Sequence, residues 1–156
     1  MPPGGAFAHA PKLQHVPILI GDDGSYPVEA NRYLDERSNG EWQLPVGRSR
    51  NQAGSELFYG PIPTLRSRRN MAARLSIFLE WCSDQATDWR AITYREDILL
   101  QYQPALLSGE GSKSGKRLSP STVNLCVNEA CLFLTWASER GYRKSVDIVR
   151  KRVTYT

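Results

Sequence analysis

The chain has 156 residues, 40% of them hydrophobic and 10% aromatic, enough for one ordinary domain or for a domain of about 90 to 100 residues with an arm. No apolar run approaches the roughly 20 residues of a membrane span, and Met1-Pro-Pro-Gly-Gly lacks the basic start and apolar stretch of a secretory leader, so a soluble, cytoplasmic protein is expected. The net charge of +4 is unevenly held: residues 1–63 carry 5 Lys and Arg against 7 Asp and Glu, whereas residues 64–156 carry 15 against 9.

Residues 1–15, rich in Pro, Gly and Ala, have no periodicity and read as an arm. Val16-Pro-Ile-Leu-Ile20 is a short extended segment, ended by a turn at Gly21-Asp-Asp-Gly24. Pro27 opens a first helix to about Arg37, with Val28, Tyr33 and Leu34 as its apolar contacts and Asn39-Gly40 as its stop. The Pro- and Gly-rich stretch 41–63 is a loop insertion, which Glu56-Leu-Phe-Tyr59 should anchor. A second helix starts at Thr64 and runs to about Asp84, carrying Met71, Leu75, Phe78, Leu79 and Cys82 as an apolar stripe at helical period. A capping box, Thr93-x-x-Glu96, begins a third helix with Ile98, Tyr102 and Leu106 on one face, and Pro104 should kink or restart it. Ser119 and Pro120 then open a fourth helix, ending near Arg140 and closed by Gly141. Its apolar positions cover more than half the circumference, with Val123, Val127, Ala130, Leu134 and Ala137 on one side and Leu125, Leu132 and Trp136 on another. Only a strip of Ser121, Asn124, Asn128 and Thr135 is polar.

Several constellations invite a chemical reading. Arg66, Arg69, Asn70 and Arg74 fall opposite the apolar stripe of the second helix, the geometry for phosphate contacts along a duplex or for a plain solvated face. Asn124 and Asn128 have the amides that read adenine edges, or else form a seam buried against other helices. Lys113, Lys116 and Arg117 in the loop 108–117 either fold onto phosphates or keep the loop in water, and phosphate contact is favoured because the loop feeds directly into the helix carrying Thr122 and Asn124. Gly115-Lys116 is not a P-loop, because the spacer from a preceding Gly is wrong and Arg117 replaces the Ser or Thr. Trp81, Trp89 and Trp136 read as core, and Trp42 is left open. Of the three cysteines, Cys126 and Cys131 lie about 140° apart around one helix, so small buried apolar residues are expected, with neither a disulfide nor a metal site. No cofactor site is read.

Leu118-Ser-Pro-Ser-Thr-Val-Asn-Leu125, Phe133-Leu-Thr-Trp136-Ala and Glu139-Arg-Gly-Tyr142 together resemble the last helix of the core-binding domain of phage-type integrases, the tyrosine recombinases. Asp22-Asp-Gly24 followed by Val28-Glu-Ala-Asn-Arg-Tyr-Leu34 is similar to that family's opening, and Ser67, Met71, Leu75 and Phe78 fit its Thr-x3-Tyr-x3-Leu-x2-Phe pattern with two substitutions. The resemblance implies an all-α fold, a four-helix orthogonal SAM-like bundle, arranged as an arm and extended segment (1–26), a DNA-binding core-binding domain (27–142) and a basic linker (143–156). It further implies double-stranded DNA as the partner, with other recombinase protomers as a second. DNA contacts would come from the basic and polar residues above, joined by Ser121, Thr122, Arg143 and Lys144. Residues 41–63 are longer than the family's usual link, and the Asn-Pro that commonly follows the last helix is absent. Catalysis by this chain is not expected: His9 and His15 are followed three residues later by Lys12 and Ile18, so the family's His-x-x-Arg is missing, and Tyr155 has no such pocket before it. Two rival readings are a helical protein-protein adaptor, for which Leu57-Phe-Tyr59 would serve, and a stand-alone DNA-binding regulator.

Overall fold

The computed structural model describes residues 16–21, 23–42, 63–110 and 115–148. The expectations for the arm, most of the 41–63 loop, Lys113 and Tyr155 lie outside them. The protein is all-α, with no strand among the described residues. The described residues form four α-helices: α1 (Val28–Asn39), α2 (Leu65–Asp84), α3 (Gln103–Ser108) and α4 (Pro120–Glu139). A 3-10 turn at Trp89–Ala91 and a π-helix at Tyr94–Tyr102 lie between α2 and α3. The chain divides into two compact units, residues 1–73 and 74–156, with the division inside α2.

In the first unit, the N–H and C=O of Leu19 both bond to the side-chain amide of Asn31, at 2.7 and 2.9 Å. The loop Gly21–Ser25 closes through Gly21 N–H to Ser25 O (2.8 Å), and Pro27 leads into α1. At the far end Gly40, at φ +75°, leaves the helix. There the Gly40 N–H bonds to Arg37 O and the Glu41 N–H to Glu36 O, the paired bonds of a Schellman motif. The turn delivers Trp42 onto Tyr33, ring centroids 6.1 Å apart, so Trp42 is core. Val28, expected to be an apolar contact, is exposed: at the first helical position it points past the buried face that begins at Ala30.

The second unit is organised by rings. Tyr102 meets Phe78 edge-on at 5.3 Å and Trp81 at 5.1 Å, which joins the C-terminal half of α2 to the π-helix. Phe133 of α4 lies between Trp89 (4.8 Å) and Trp136 (6.0 Å), and Tyr142 covers Trp136 at 5.5 Å. Buried aromatic pairs of this kind add about 0.5–1.5 kcal/mol each beyond area burial. Trp81 and Trp136 are buried and Trp89 is half-buried. Helix α4 starts as its sequence indicates, with Ser119 Oγ accepting from Thr122 N–H at 3.2 Å, and ends in a second Schellman motif at Gly141, φ +84°. Here the Tyr142 N–H donates to Ala137 O at 2.8 Å. Leu125 is a correction: it is exposed, while Val123, Cys126 and Ala130 carry the inner face.

The third helix differs most from its sequence reading. The Ile98 N–H bonds to Thr93 O and the Gln103 N–H to Ile98 O, both five residues apart, which makes the first nine residues a π-helix. Pro104 supplies the physical reason, since its ring would crowd the carbonyl four residues back and it has no N–H to offer. The wider turn relieves that conflict, and α3 restarts with Pro104 in its first turn. The capping box also changes partner: Asp97, not Glu96, accepts from both the N–H (2.7 Å) and the hydroxyl (3.0 Å) of Thr93. Helix α3 ends at Gly109, φ +91°, where a Cβ would collide with the carbonyl of Gly115, and Leu118 N–H reaches back to Leu106 O at 3.3 Å.

All three cysteines are free and buried. Burial first, then the Asp88 and Asp97 carboxylates, pushes the Cys82 thiol up to about 12. The Tyr102 hydroxyl, within electrostatic range of all three thiols, is pushed up chiefly by burial. It has no hydrogen-bond partner among the described residues. An unsatisfied buried hydroxyl costs about 1–3 kcal/mol, so Tyr102→Phe should raise the urea midpoint, and a lowered midpoint would show that the hydroxyl is bonded. Helix α2 ends in a third Schellman motif in which Ala86, at φ +53°, occupies the position favouring glycine. Ala86→Gly should therefore stabilise the protein by about 0.5–1 kcal/mol in the same assay, because the left-handed region strains a side chain with a Cβ.

Candidate nucleic-acid interface

Helix α2 begins with Thr64 Oγ1 accepting from Ser67 N–H at 3.1 Å and with Arg68 Nε donating to Pro63 O at 2.9 Å. Arg68 is thus held at the helix start. Arg66, Arg69 and Asn70 project from the same two turns and are exposed, and at spacings of three and four they are neighbours. Neither arginine forms an ion pair among the described residues. Arg74 is different. It lies in the second unit, is half-buried, and its charge acts on the Cys126 thiol, partly offsetting the burial that pushes that thiol up. The exposed patch is Arg66, Arg69 and Asn70, with Arg74 turned toward protein.

In the second unit Lys116 and Arg117 are exposed on the approach to α4, and Ser121, Asn124 and Asn128 are exposed along its first turns. Thr122 is half-buried and its hydroxyl accepts from Ser119 at 3.0 Å. The alternative of a buried asparagine seam is therefore excluded, since both amides lie at the surface. Thr135, at the far end of the strip, bonds back to Cys131 O at 2.8 Å.

The two tail cations separate. Arg143 Nη1 donates to Trp89 O (3.0 Å) and Nε to Lys144 O (2.9 Å). Burial lowers its pKa, so this guanidinium acts as a clasp between tail and 3-10 turn. Lys144 is exposed beside a cleft of about 740 Å3 floored by Tyr94, Leu99 and Val146. Arg95, absent from the sequence-based candidates, lines the same cleft, where its charge was masked in the sequence by Glu96 and Asp97 on the same helix start. Glu96 and Asp147 line it too, so the cleft has no single-sign field to gather phosphates.

Among the described residues no group of three or more His, Cys, Asp or Glu could hold a metal ion, and no helix is long and apolar enough to cross a membrane. What the exposed groups offer chemically is hydrogen-bond donation and positive charge. No family model matches the chain, and no curated protein and no solved structure is significantly similar to it.

Proposed function

We propose that this chain binds double-stranded DNA as the core-binding part of a tyrosine-type site-specific recombinase. The observation that carries the reading is the pair of exposed guanidinium groups of Arg66 and Arg69, without an ion pair among the described residues, beside the Asn70 amide on one helix face. Guanidinium groups left without an acid on a helix face are suited to phosphate oxygens, and binding them releases condensed counterions. The exposed Lys116 and Arg117, followed by Ser121 and Asn124, form a second group in which cations precede amide and hydroxyl side chains. Cations of this kind position a protein on the backbone, while amides read base edges. The sequence resemblance to the integrase core-binding domain supplies the biological setting, DNA integration and recombination. In this reading the chain contributes binding, and strand cleavage belongs to a catalytic domain with the His-x-x-Arg motif that these 156 residues do not contain.

The test is a titration of a labelled duplex at several salt concentrations. If Arg66, Arg69, Lys116 and Arg117 each neutralise one phosphate, log K falls against log salt with a slope of about −3.6, and affinity drops about a hundredfold between 50 and 200 mM salt. Binding that is absent at low salt, or flat against salt, removes the proposal.

Single substitutions divide the two kinds of contact. Arg69→Ala should weaken all duplexes alike and flatten the slope by about one unit. Asn124→Ala should cost about 1–3 kcal/mol on a preferred site and little elsewhere. Because Asn124 is exposed, the urea midpoint should not move, so a loss of binding in this variant cannot be ascribed to unfolding. Equal losses on every duplex would instead place Asn124 among the backbone contacts.

A further inference from the structure

The first unit holds a feature that DNA binding does not use. Leu19 offers its N–H and C=O to the same side-chain amide, at 2.7 and 2.9 Å, a pair of bonds made where both groups of one residue point to one side, as in extended backbone. Asn31, buried on α1, thus stands where the backbone of a neighbouring strand would be. Extended residues alternate in the side toward which their polar groups point, so Val16, Ile18 and Ile20 present theirs to the opposite edge. Ile18 and Ile20 have no backbone partner there among the described residues. Pro17, the one residue in the stretch without an N–H, falls on the Asn31 side, so the outer edge keeps every donor.

The side chains on this stretch are as unusual as its backbone. Ile18 is 60% and Ile20 69% exposed. The 2.8 Å bond from Gly21 N–H to Ser25 O closes the following loop and brings Tyr26 beside Ile20, and Tyr26 and Val28 are 55% and 58% exposed. Four large apolar side chains therefore flank one small loop. The stretch is acidic, since residues 16–31 contain Asp22, Asp23 and Glu29 and no Lys or Arg, and Arg32, one turn beyond Val28, is paired with Glu36 at 3.6 Å. Asp23 is exposed, and the hydroxyl and then the N–H of Ser25 hold its carboxyl below the usual carboxylate range.

We propose that Val16–Ile20 is a docking edge for an extended strand of a partner protein, one with apolar residues at alternate positions and Lys or Arg at its flanks. The unpaired edge specifies extended backbone, Ile18 and Ile20 specify apolar residues at every second position, and the acidic loop specifies basic flanks. A duplex is excluded as the occupant by the same acidic charge.

Two measurements on the full chain test this. Amide hydrogen exchange should find the Ile18 and Ile20 amides exchanging at free-peptide rates while Leu19 is slowed. A library of displayed 12-residue random peptides is then selected on the immobilised chain and counter-selected on the Ile18→Lys, Ile20→Lys double variant. Enriched peptides should alternate β-branched or aromatic residues and carry basic ends. A synthetic copy of one should lose at least about tenfold in affinity when its alternate amides are N-methylated, and as much against Ile18→Pro, which removes an outward donor while leaving the Leu19–Asn31 bonds. Asp23→Lys should weaken it as well, and Ile18→Pro, which changes no charge, should leave duplex binding unaltered. Protection of the Ile18 and Ile20 amides in the free chain would overturn the proposal, because the edge would already be occupied by the chain itself. So would self-association of the chain that Ile18→Pro abolishes, or selected peptides that do not distinguish the variants.

Discussion

The second unit depends on the contact of Tyr102 with Phe78 and Trp81. These three rings are the link between α2 and the segment that follows it, and they draw the π-helix onto α2 at centroid distances of 5.1 to 5.3 Å. The ring must be buried for this packing, and the hydroxyl is carried inside with it. Packing and polar satisfaction are therefore in conflict at one residue, and packing prevails because three large rings gain more from contact than one hydroxyl loses. The neighbouring thiols of Cys82, Cys126 and Cys131 follow from the same choice. All three are small, buried and apolar in behaviour, and burial pushes the Cys82 and Cys126 thiols up, which suits the surroundings of a ring cluster.

Helix limits were legible wherever the signal is local. Ser119-Pro120, Thr64 and the glycines at 40 and 141 act through neighbours within five residues, and each start or stop is found where these residues place it. The buried stripe of α2 follows from periodicity for the same reason. What the sequence could not disclose depends on distant partners. The wide turn of the π-helix follows from a conflict between Pro104 and a carbonyl a turn away, which spacing alone does not resolve. Periodicity also cannot say how far an apolar face is covered, so Val28 and Leu125 carry the right residue type and still face solvent. Arg143 shows the limit for sites: a cation in a basic tail looks available for phosphate until its bond to a carbonyl 54 residues away is seen. Of the candidate contacts, Arg66, Arg69, Asn70, Lys116, Arg117, Ser121, Asn124, Asn128 and Lys144 are exposed and Arg74, Thr122 and Arg143 are not fully so.

The two halves of the sequence differ in charge, and the surfaces differ accordingly. Arg66 and Arg69 are exposed at the start of α2, whereas the stretch from Val16 to Asn31 is acidic and apolar. Uneven charge along one small chain would keep the two proposed kinds of binding from competing, since a polyanion is repelled from an acidic stretch.

The close approach at Gly109 has a consequence for how this protein could change over time. With no room for a side chain at 109 and Leu118 bonded back to Leu106, the mouth of the following loop is fixed at both sides. The entropy of closing a loop between two such points rises by only about 0.6 kcal/mol for each doubling of its length. The length of the connection between these points can therefore change at little thermodynamic cost. Lineages could lengthen or shorten this connection alone, leaving the ring cluster and the helix starts under separate selection.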